Sequence, residues 1–314
     1  MNDDPPRPDG VLPDERTEFL LANGLRLLCR QWGGADADPV LFLHGLRGFS
    51  GTWRHVAAAL SREYRIIAYD QRGRGESDWD PVCNYYTDAY LADLETVVDR
   101  LALRRFALVG HSMGGTTAYL YADHHPERVD ALVIEDIAPG SSTVGVGAER
   151  IVAEMAALPT SFASWGEARS YWRARRPTVS VEALEQRLAE SLRSSPDGRI
   201  VWRYDANGIR KTRLNPDSKR VVDLWPVVDR LRIPTLIIRG ELSDFCPAET
   251  VAQISSRNPL ISSVTVPAAS HYVHDEQPAA FIAHLQRFLA SHRAREQPCA
   301  MLAEKTIGES LDDT

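Results

Sequence analysis

The chain has 314 residues, of which 44% are hydrophobic and 25% charged, and its formal net charge is −7. This length suits one large α/β domain with an insertion or two small domains, and the composition is that of an ordinary globular protein. Negative charge without a long basic block argues against nucleic acid or an anionic membrane surface as the binding partner. The sequence has no apolar run of membrane-spanning length, no signal-peptide core and no Cys-x-x-Cys spacing among its four cysteines, so a cytoplasmic protein is expected.

The first half of the chain alternates between strand-like and helix-like segments. Residues 1–16 are acidic and proline-rich and predict a flexible lead, and the Asn23-Gly24 pair between two apolar runs predicts a β-hairpin. Continuous apolar runs are typical of strands that are buried on both faces of a sheet, and they occur at 39–43, 65–69, 105–109 and 131–134. Helical segments separate them. The predicted fold class is therefore α/β, with a mostly parallel central sheet and helices on both faces.

The pattern changes after residue 139. Residues 140–228 are helix-rich, charged and aromatic, which predicts a helical cap inserted into the α/β unit. Strand-like runs return at 234–238 and 264–266, and a last helix is predicted at 279–291. The predicted organisation is a core of 17–139 and 229–292, the cap of 140–228, and flexible termini at 1–16 and 293–314.

A glycine-rich turn separates the third buried strand from the helix that follows it. Its sequence is Gly-His-Ser-Met-Gly-Gly at 110–115. A Gly-x-Ser-x-Gly motif between a strand and a helix is the context of a nucleophile elbow, which exposes the serine on a strained turn. The N-terminus of the helix behind Ser112 adds N–H groups and a positive dipole end aimed at an anion. Ser112 is the predicted nucleophile.

A serine nucleophile needs a base and an acid that orients the base. His271 lies in the loop after the last strand, at the sheet end where ligands bind in parallel sheets, and it is the predicted base. Two aspartates follow strands in the required chain order: one ends the strand after the elbow, and the other follows the penultimate strand. We prefer Asp244 as the acid, and Asp136 remains the alternative.

The oxyanion that forms during acyl transfer needs backbone N–H donors. Met113, the residue after the nucleophile, is predicted to supply one, and Leu46, in the loop after His44-Gly45, is predicted to supply the other. No histidine–cysteine spacing predicts a metal site.

These motifs together resemble those of the α/β-hydrolase superfamily. The match consists of His44-Gly45, the Asp-x-Arg-Gly-x-Gly-x-Ser stretch at 70–77, the elbow at 110–115, and the late aspartate and histidine. It covers residues 18–291, with the cap region matched only loosely, and it implies the fold and serine chemistry rather than a substrate.

The sequence departs from the motifs of some branches of this superfamily, which narrows the set of branches that it resembles. A serine at the nucleophile position is unlike the haloalkane dehalogenases and epoxide hydrolases, which use aspartate there. The Gly-Pro-Gly loop of the carbon–carbon bond hydrolases does not follow His44-Gly45. The Asp-Ile-Ala-Pro segment at 136–139 resembles small esterases whose acid follows this strand, whereas the segment at 239–244 resembles the commoner arrangement.

The expected function is a serine hydrolase that cleaves a carboxylic ester or lactone of a small molecule through an acyl-enzyme, without a cofactor or metal. Large aromatic side chains in the cap predict a mainly apolar substrate; they are Trp165, Tyr171, Trp172 and Trp202.

Two alternative functions remain. One is a cofactor-free perhydrolase or haloperoxidase on the same triad, against which the long insertion argues. The other is a non-catalytic binding module on a hydrolase scaffold. The sequence does not predict the oligomeric state.

Overall fold

A computed structural model of the chain describes residues 14–141, 143–177 and 179–293. The predicted flexible segments at 1–16 and 293–314 therefore lie almost wholly outside the described residues. The strands are β1 (Arg16–Ala22), β2 (Leu25–Trp32), β3 (Asp38–Leu43), β4 (Tyr64–Tyr69), β5 (Phe106–His111), β6 (Val129–Glu135), β7 (Ser161–Phe162), β8 (Leu192–Ser194), β9 (Ile200–Trp202), β10 (Thr235–Gly240) and β11 (Ile261–Val266). The α-helices are α1 (Arg54–Leu60), α2 (Thr87–Arg100), α3 (Met113–His124), α4 (Val146–Ala156), α5 (Trp165–Arg175), α6 (Val181–Ser191), α7 (Ala206–Leu214), α8 (Trp225–Arg230), α9 (Ala248–Arg257), α10 (Val273–Glu276) and α11 (Pro278–Arg293).

Eight of the strands form one sheet in the order β1-β2-β4-β3-β5-β6-β10-β11. The six strands from β4 to β11 in this order are parallel, whereas β1 and β2 form an antiparallel hairpin at one edge, joined by Asn23-Gly24. The predicted α/β fold class with a mostly parallel sheet is confirmed.

The continuous apolar strands are explained by burial on both sheet faces. Successive side chains of a strand point to opposite faces, and in β3 Leu41 and Leu43 pack into one core cluster while Val40 and Phe42 pack into the other. Helices α2, α3, α8 and α9 cover the first face, and α1 and α11 cover the second. Since both faces are dry, every residue of such a strand must be apolar.

Residues 140–228, which lie within the segment between β6 and β10, are called the insert. It contains the predicted helices and, in addition, a three-stranded antiparallel sheet in the order β7-β9-β8. Its aromatic side chains form a third core cluster, which also includes Met113 of α3 and Tyr85 and Tyr90 of the loop and helix before β5. The predicted boundary at residue 228 falls inside α8, whose Val227 and Val228 pack with the first sheet face.

Within the described residues, no helix combines the length and the hydropathy needed to cross a bilayer.

Candidate active site

Ser112 is the single residue between the end of β5 and the start of α3. Its φ of 53° and ψ of −118° place a non-glycine residue in a strained backbone region. The turn closes so tightly that a Cβ on Gly110 would lie 2.6 Å from the carbonyl oxygen of Gly114, and a Cβ on Gly114 would lie 2.5 Å from that of Leu43. Glycine is therefore required on both sides of the serine, which stands at the carboxyl end of the parallel strands.

His271 joins Ser112 to a carboxylate. Its Nε2 lies 2.9 Å from the Ser112 hydroxyl oxygen, and its Nδ1 lies 2.8 Å from Oδ2 of Asp136. In the neutral tautomer that fits this geometry, Nδ1–H donates to the carboxylate and Nε2 accepts from the hydroxyl. All three side chains are buried. The structure thus contains the contact between Ser112 and His271 that the sequence predicted.

The preference for Asp244 as the partner of His271 was wrong, because Asp136 forms that hydrogen bond. Asp136 follows β6 with a φ of 53°, which turns its carboxylate back over the sheet edge. Its Oδ1 accepts a hydrogen bond of 2.9 Å from the Gly240 N–H, and its Oδ2 accepts from the Ser243 hydroxyl as well as from His271. The backbone of the neighbouring strand β10 therefore holds the carboxylate in place.

Asp244 has a different partner. Both of its oxygens accept from the Arg150 guanidinium of the insert, at 2.7 and 2.9 Å. Partial burial raises the pKa of this carboxyl, but the hydrogen bonds and charge of Arg150 outweigh burial, so the pKa lies below its usual value. Asp244 joins the insert to the core instead of orienting the histidine.

The predicted oxyanion donors Leu46 and Met113 both line the cleft that contains Ser112. Met113 is the first residue of α3, so its N–H has no acceptor within the helix. His44 fixes the loop that carries Leu46: its Nε2 accepts from the Gln71 N–H at 3.0 Å, and its Nδ1 donates to the Gly45 carbonyl at 2.8 Å. Burial lowers the pKa of His44 to about 3, so the ring stays neutral and keeps both hydrogen bonds.

The aromatic residues predicted to contact substrate do not line this cleft, and that prediction was wrong. Trp165, Tyr171, Trp172 and Trp202 pack with one another in the third core cluster. The rings of Trp172 and Trp202 lie 5.9 Å apart at 77°, and the Trp202 indole N–H donates to the Pro159 carbonyl at 2.8 Å. Trp165, Ala168 and Trp172 recur at helical spacing along α5 and form its buried face. These rings stabilise the insert.

Other aromatic residues, which the sequence analysis missed, surround the cleft. Phe245 stacks on His271, with ring centroids 4.2 Å apart at 27°, and Tyr272 lies edge-on at 5.1 Å. Both are sequence neighbours of residues already singled out, Asp244 and His271, and this adjacency is the signal that could have found them. Tyr85, Tyr90 and apolar residues of α4 complete the wall.

A second buried histidine lies behind His271. His274 Nδ1 contacts Glu135 Oε1 at 2.7 Å, and although burial disfavours its charged form, Glu135 and Asp275 raise its pKa above the usual value. Nitrogen and oxygen atoms of His111, Glu135 and His274 lie within 4.8 Å of one another, a donor set that could hold a metal ion. His111 also contacts the backbone carbonyl of His271 through Nε2, at 2.9 Å, so this group supports the loop that carries His271.

Residues 38–278 match the profile of the α/β hydrolase fold family. The chain is an α/β hydrolase. A putative 2-succinyl-6-hydroxy-2,4-cyclohexadiene-1-carboxylate synthase of Bacillus subtilis is 32% identical to it, over 87% of this chain and 98% of that protein. An esterase of Mycobacterium tuberculosis is 30% identical, over 87% of this chain and 88% of that protein. Among solved structures, an E-2-(acetamidomethylene)succinate hydrolase superposes with a TM-score of 0.78 at 26% identity, covering 88% of this chain and 99% of the other.

Proposed function

We propose that this α/β hydrolase is a serine esterase that acts on carboxylic esters or lactones through an acyl-enzyme intermediate. The observation that carries the proposal is the hydrogen-bonded chain from Ser112 through His271 to Asp136, at 2.9 and 2.8 Å. The same arrangement of roles performs acyl transfer on several unrelated folds. Relatives of this chain that are named as esterases support the same reading.

The proposed reaction begins when the Ser112 oxygen attacks the ester carbonyl carbon while His271 Nε2 takes the hydroxyl proton. The carbonyl oxygen becomes an oxyanion between the N–H groups of Leu46 and Met113. Collapse breaks the bond to the alcohol, and His271 returns the proton to the leaving alkoxide. Water then repeats these steps against the acyl-serine and releases the acid. Asp136 keeps the proton of neutral His271 on Nδ1 and stabilises the imidazolium as it forms.

Replacement of the nucleophile tests this proposal. Ser112→Ala should lower kcat for 4-nitrophenyl esters by a factor on the order of 10⁴ or more, because loss of a triad member leaves only binding and oxyanion stabilisation. A fluorophosphonate probe should add its mass to a peptide containing Ser112 in the native protein and not in the variant. Ser256→Ala, on the surface of α9, is the matched control and should keep full activity and labelling. Hydrolysis retained in Ser112→Ala would contradict the proposal.

A further inference from the structure

The charge of the cleft around Ser112 is opposite to that of the whole protein. The chain carries a net −7, yet no aspartate or glutamate of the described residues lines the cleft. The charged side chains that do line it are the arginines Arg47, Arg187, Arg213 and Arg220. A cleft lined by one sign of charge concentrates ligands of the other sign.

Arg47 is the guanidinium nearest in sequence to the oxyanion loop, directly after Leu46. The residue is 7% exposed, and its Nη2 contacts Glu154 of the insert at 2.5 Å. The other terminal nitrogen, Nη1, is buried without a hydrogen-bond partner among the described residues. A buried N–H that finds no acceptor costs free energy, and this one belongs to a residue that lines the cleft.

Two arginines also face the ring of Tyr272, which lines the cleft. Arg176 is also 7% exposed, its Nη1 likewise has no partner among the described residues, and its guanidinium carbon lies 3.3 Å from the centroid of the Tyr272 ring. The guanidinium carbon of Arg187 lies 5.4 Å from the same ring. Since Tyr272 adjoins His271 at 5.1 Å, this positive patch lies beside the proposed reaction centre.

Acidic residues neutralise only part of this positive charge; among them, Asp88 pairs with Arg220. Glu154, Asp244 and Asp275 form ion pairs with Arg47, Arg150 and Arg187, and Arg176 has no carboxylate within 4.0 Å in the described part of the chain. The guanidinium groups of Arg176 and Arg187 both face the Tyr272 ring, and the unpaired charge of Arg176 favours an anion at this place.

Arg74, near Leu46 and Met113, and the cleft residue Arg213 also lack a paired acid among the described residues. Arg74 is fully buried and bonds only neutral acceptors: the Leu46 and Arg72 carbonyls, the Tyr90 hydroxyl and the Met113 sulfur. Arg213 lines the cleft, and burial lowers its pKa. An unpaired buried cation is costly, and an anionic ligand in the cleft would compensate several of them together.

We propose that the cleft selects substrates carrying a free carboxylate, which binds at Arg47 beside Tyr272 while the scissile carbonyl lies at Ser112. This proposal rests on the proposed esterase function. A carboxylate presents two coplanar oxygens that match the fork of a guanidinium. The proposed substrate is therefore amphipathic, whereas the sequence predicted a mainly apolar one. Its apolar part lies against Phe245 and the α4 side chains.

Paired substrates measure the selectivity. One pair places the charge on the acyl side, mono(4-nitrophenyl) adipate against 4-nitrophenyl hexanoate; the other places it on the alcohol side, 4-acetoxybenzoate against 4-acetoxybenzamide. The native enzyme should prefer the anionic member of at least one pair by about tenfold or more in kcat/KM, chiefly through KM, as expected for a charge-assisted hydrogen bond. Equal or faster hydrolysis of the neutral member in both pairs would overturn the proposal.

Substitutions in the patch separate carboxylate binding from structural support. Arg47→Gln should abolish most of this preference, and Arg213→Gln, which removes no ion pair among the described residues, should reduce it in the same direction. Glu154→Gln frees Arg47 from its acid and should maintain or increase the preference. Arg175→Gln is the matched control, because Arg175 is exposed and adjoins Arg176 at the end of α5. If Arg47→Gln and Glu154→Gln change the ratio alike, Arg47 is only a partner of Glu154 and the proposal fails.

A binding assay keeps this inference separable from the esterase proposal. Adipate should raise the melting temperature of Ser112→Ala protein at constant ionic strength, and it should not do so in Ser112→Ala/Arg47→Gln. Stabilisation by adipate without ester hydrolysis by native protein would retain the anion site and reject the esterase function. Hydrolysis of neutral esters without adipate binding would retain the esterase function and reject the anion site. Equal stabilisation by inorganic phosphate would overturn the assignment to carboxylates.

Discussion

Asp136 is held by more groups than an orienting carboxylate needs for its contact with the histidine. Its oxygens accept from His271, the Gly240 N–H and the Ser243 hydroxyl, and none of these donors can be satisfied by an amide nitrogen in the same place. Asp136→Asn should therefore present an N–H to one donor and lose the correct imidazole tautomer. We expect a fall in kcat of about 10⁴-fold, measured by steady-state hydrolysis of a 4-nitrophenyl ester.

Asp244→Asn is the control for that change. It removes half of a partly exposed ion pair with Arg150, which is worth at most about 1 kcal/mol, and kcat should stay within about tenfold of the native value. Circular dichroism should show both variants folded. A larger loss of kcat in Asp244→Asn than in Asp136→Asn would return the acid role to Asp244.

The two aspartates show which part of the site the sequence could predict. Strands β6 and β10 are hydrogen-bonded neighbours, so any residue just after either strand lies at the same sheet edge, and the sequence correctly placed both aspartates near His271. The choice between them depends on the positive φ of Asp136 and on the pairing of Asp244 with Arg150, which is 94 residues away. Both are tertiary features that no local pattern records.

At the scale of elements, the sequence predicted the long segments and missed the short ones. The parallel strands and helix α11 appear close to their expected positions because each carries a clear period or a continuous apolar run. Strands β7, β8 and β9 have only two or three residues each, too few to show alternation. Their pairing depends on tertiary contacts, and so the sequence predicted a helical cap without these strands.

The aromatic cluster of the insert makes a stability prediction. Trp202 is buried against Trp172, Phe162 and Tyr204, so Trp202→Ala should leave a large cavity and an unpaired Pro159 carbonyl. We expect the free energy of unfolding to fall by about 3–5 kcal/mol, measured by urea denaturation. Trp79 is 47% exposed, and Trp79→Ala should change stability by less than about 1 kcal/mol. A stable Trp202→Ala protein with raised KM for apolar esters would instead make Trp202 a substrate contact.

At the scale of the whole molecule, ion pairs join the insert to the core. Arg47 and Arg54 of the core contact Glu154 and Glu190 of the insert, while Arg150 and Arg187 of the insert contact Asp244 and Asp275 of the core. The sheet, in contrast, is stabilised by apolar clusters on both faces. These ion pairs define the contact between insert and core over the cleft, here called the seam. The stability of the seam should therefore depend on pH in a way that the stability of the sheet does not.

The direction of that response follows from the carboxyl groups of the seam. Burial raises the pKa values of Glu154, Asp244 and Asp275, but the arginine partners outweigh burial, so all three pKa values lie below their usual values in the folded protein. Groups of this kind stabilise the folded state fully above their unfolded-state pKa of about 4 and lose that contribution as the pH falls towards the folded-state values. Acid should thus loosen the insert before it unfolds the sheet.

Hydrogen exchange followed by mass spectrometry measures this difference. Between pH 6 and pH 3, and after correction for intrinsic exchange rates, amides of α4 and α6 should lose protection while amides of β5 keep it. Asp275→Asn should loosen α6 already at neutral pH, since Arg187 then lacks its anion, at a cost of about 3 kcal/mol for a broken buried pair. In this variant, the further loss of protection of α6 in acid should be smaller than in the native protein, because one titrating group is gone. Equal loss of protection in α6 and β5 at pH 3 would show that the molecule unfolds as one unit and that the ion pairs do not control the seam.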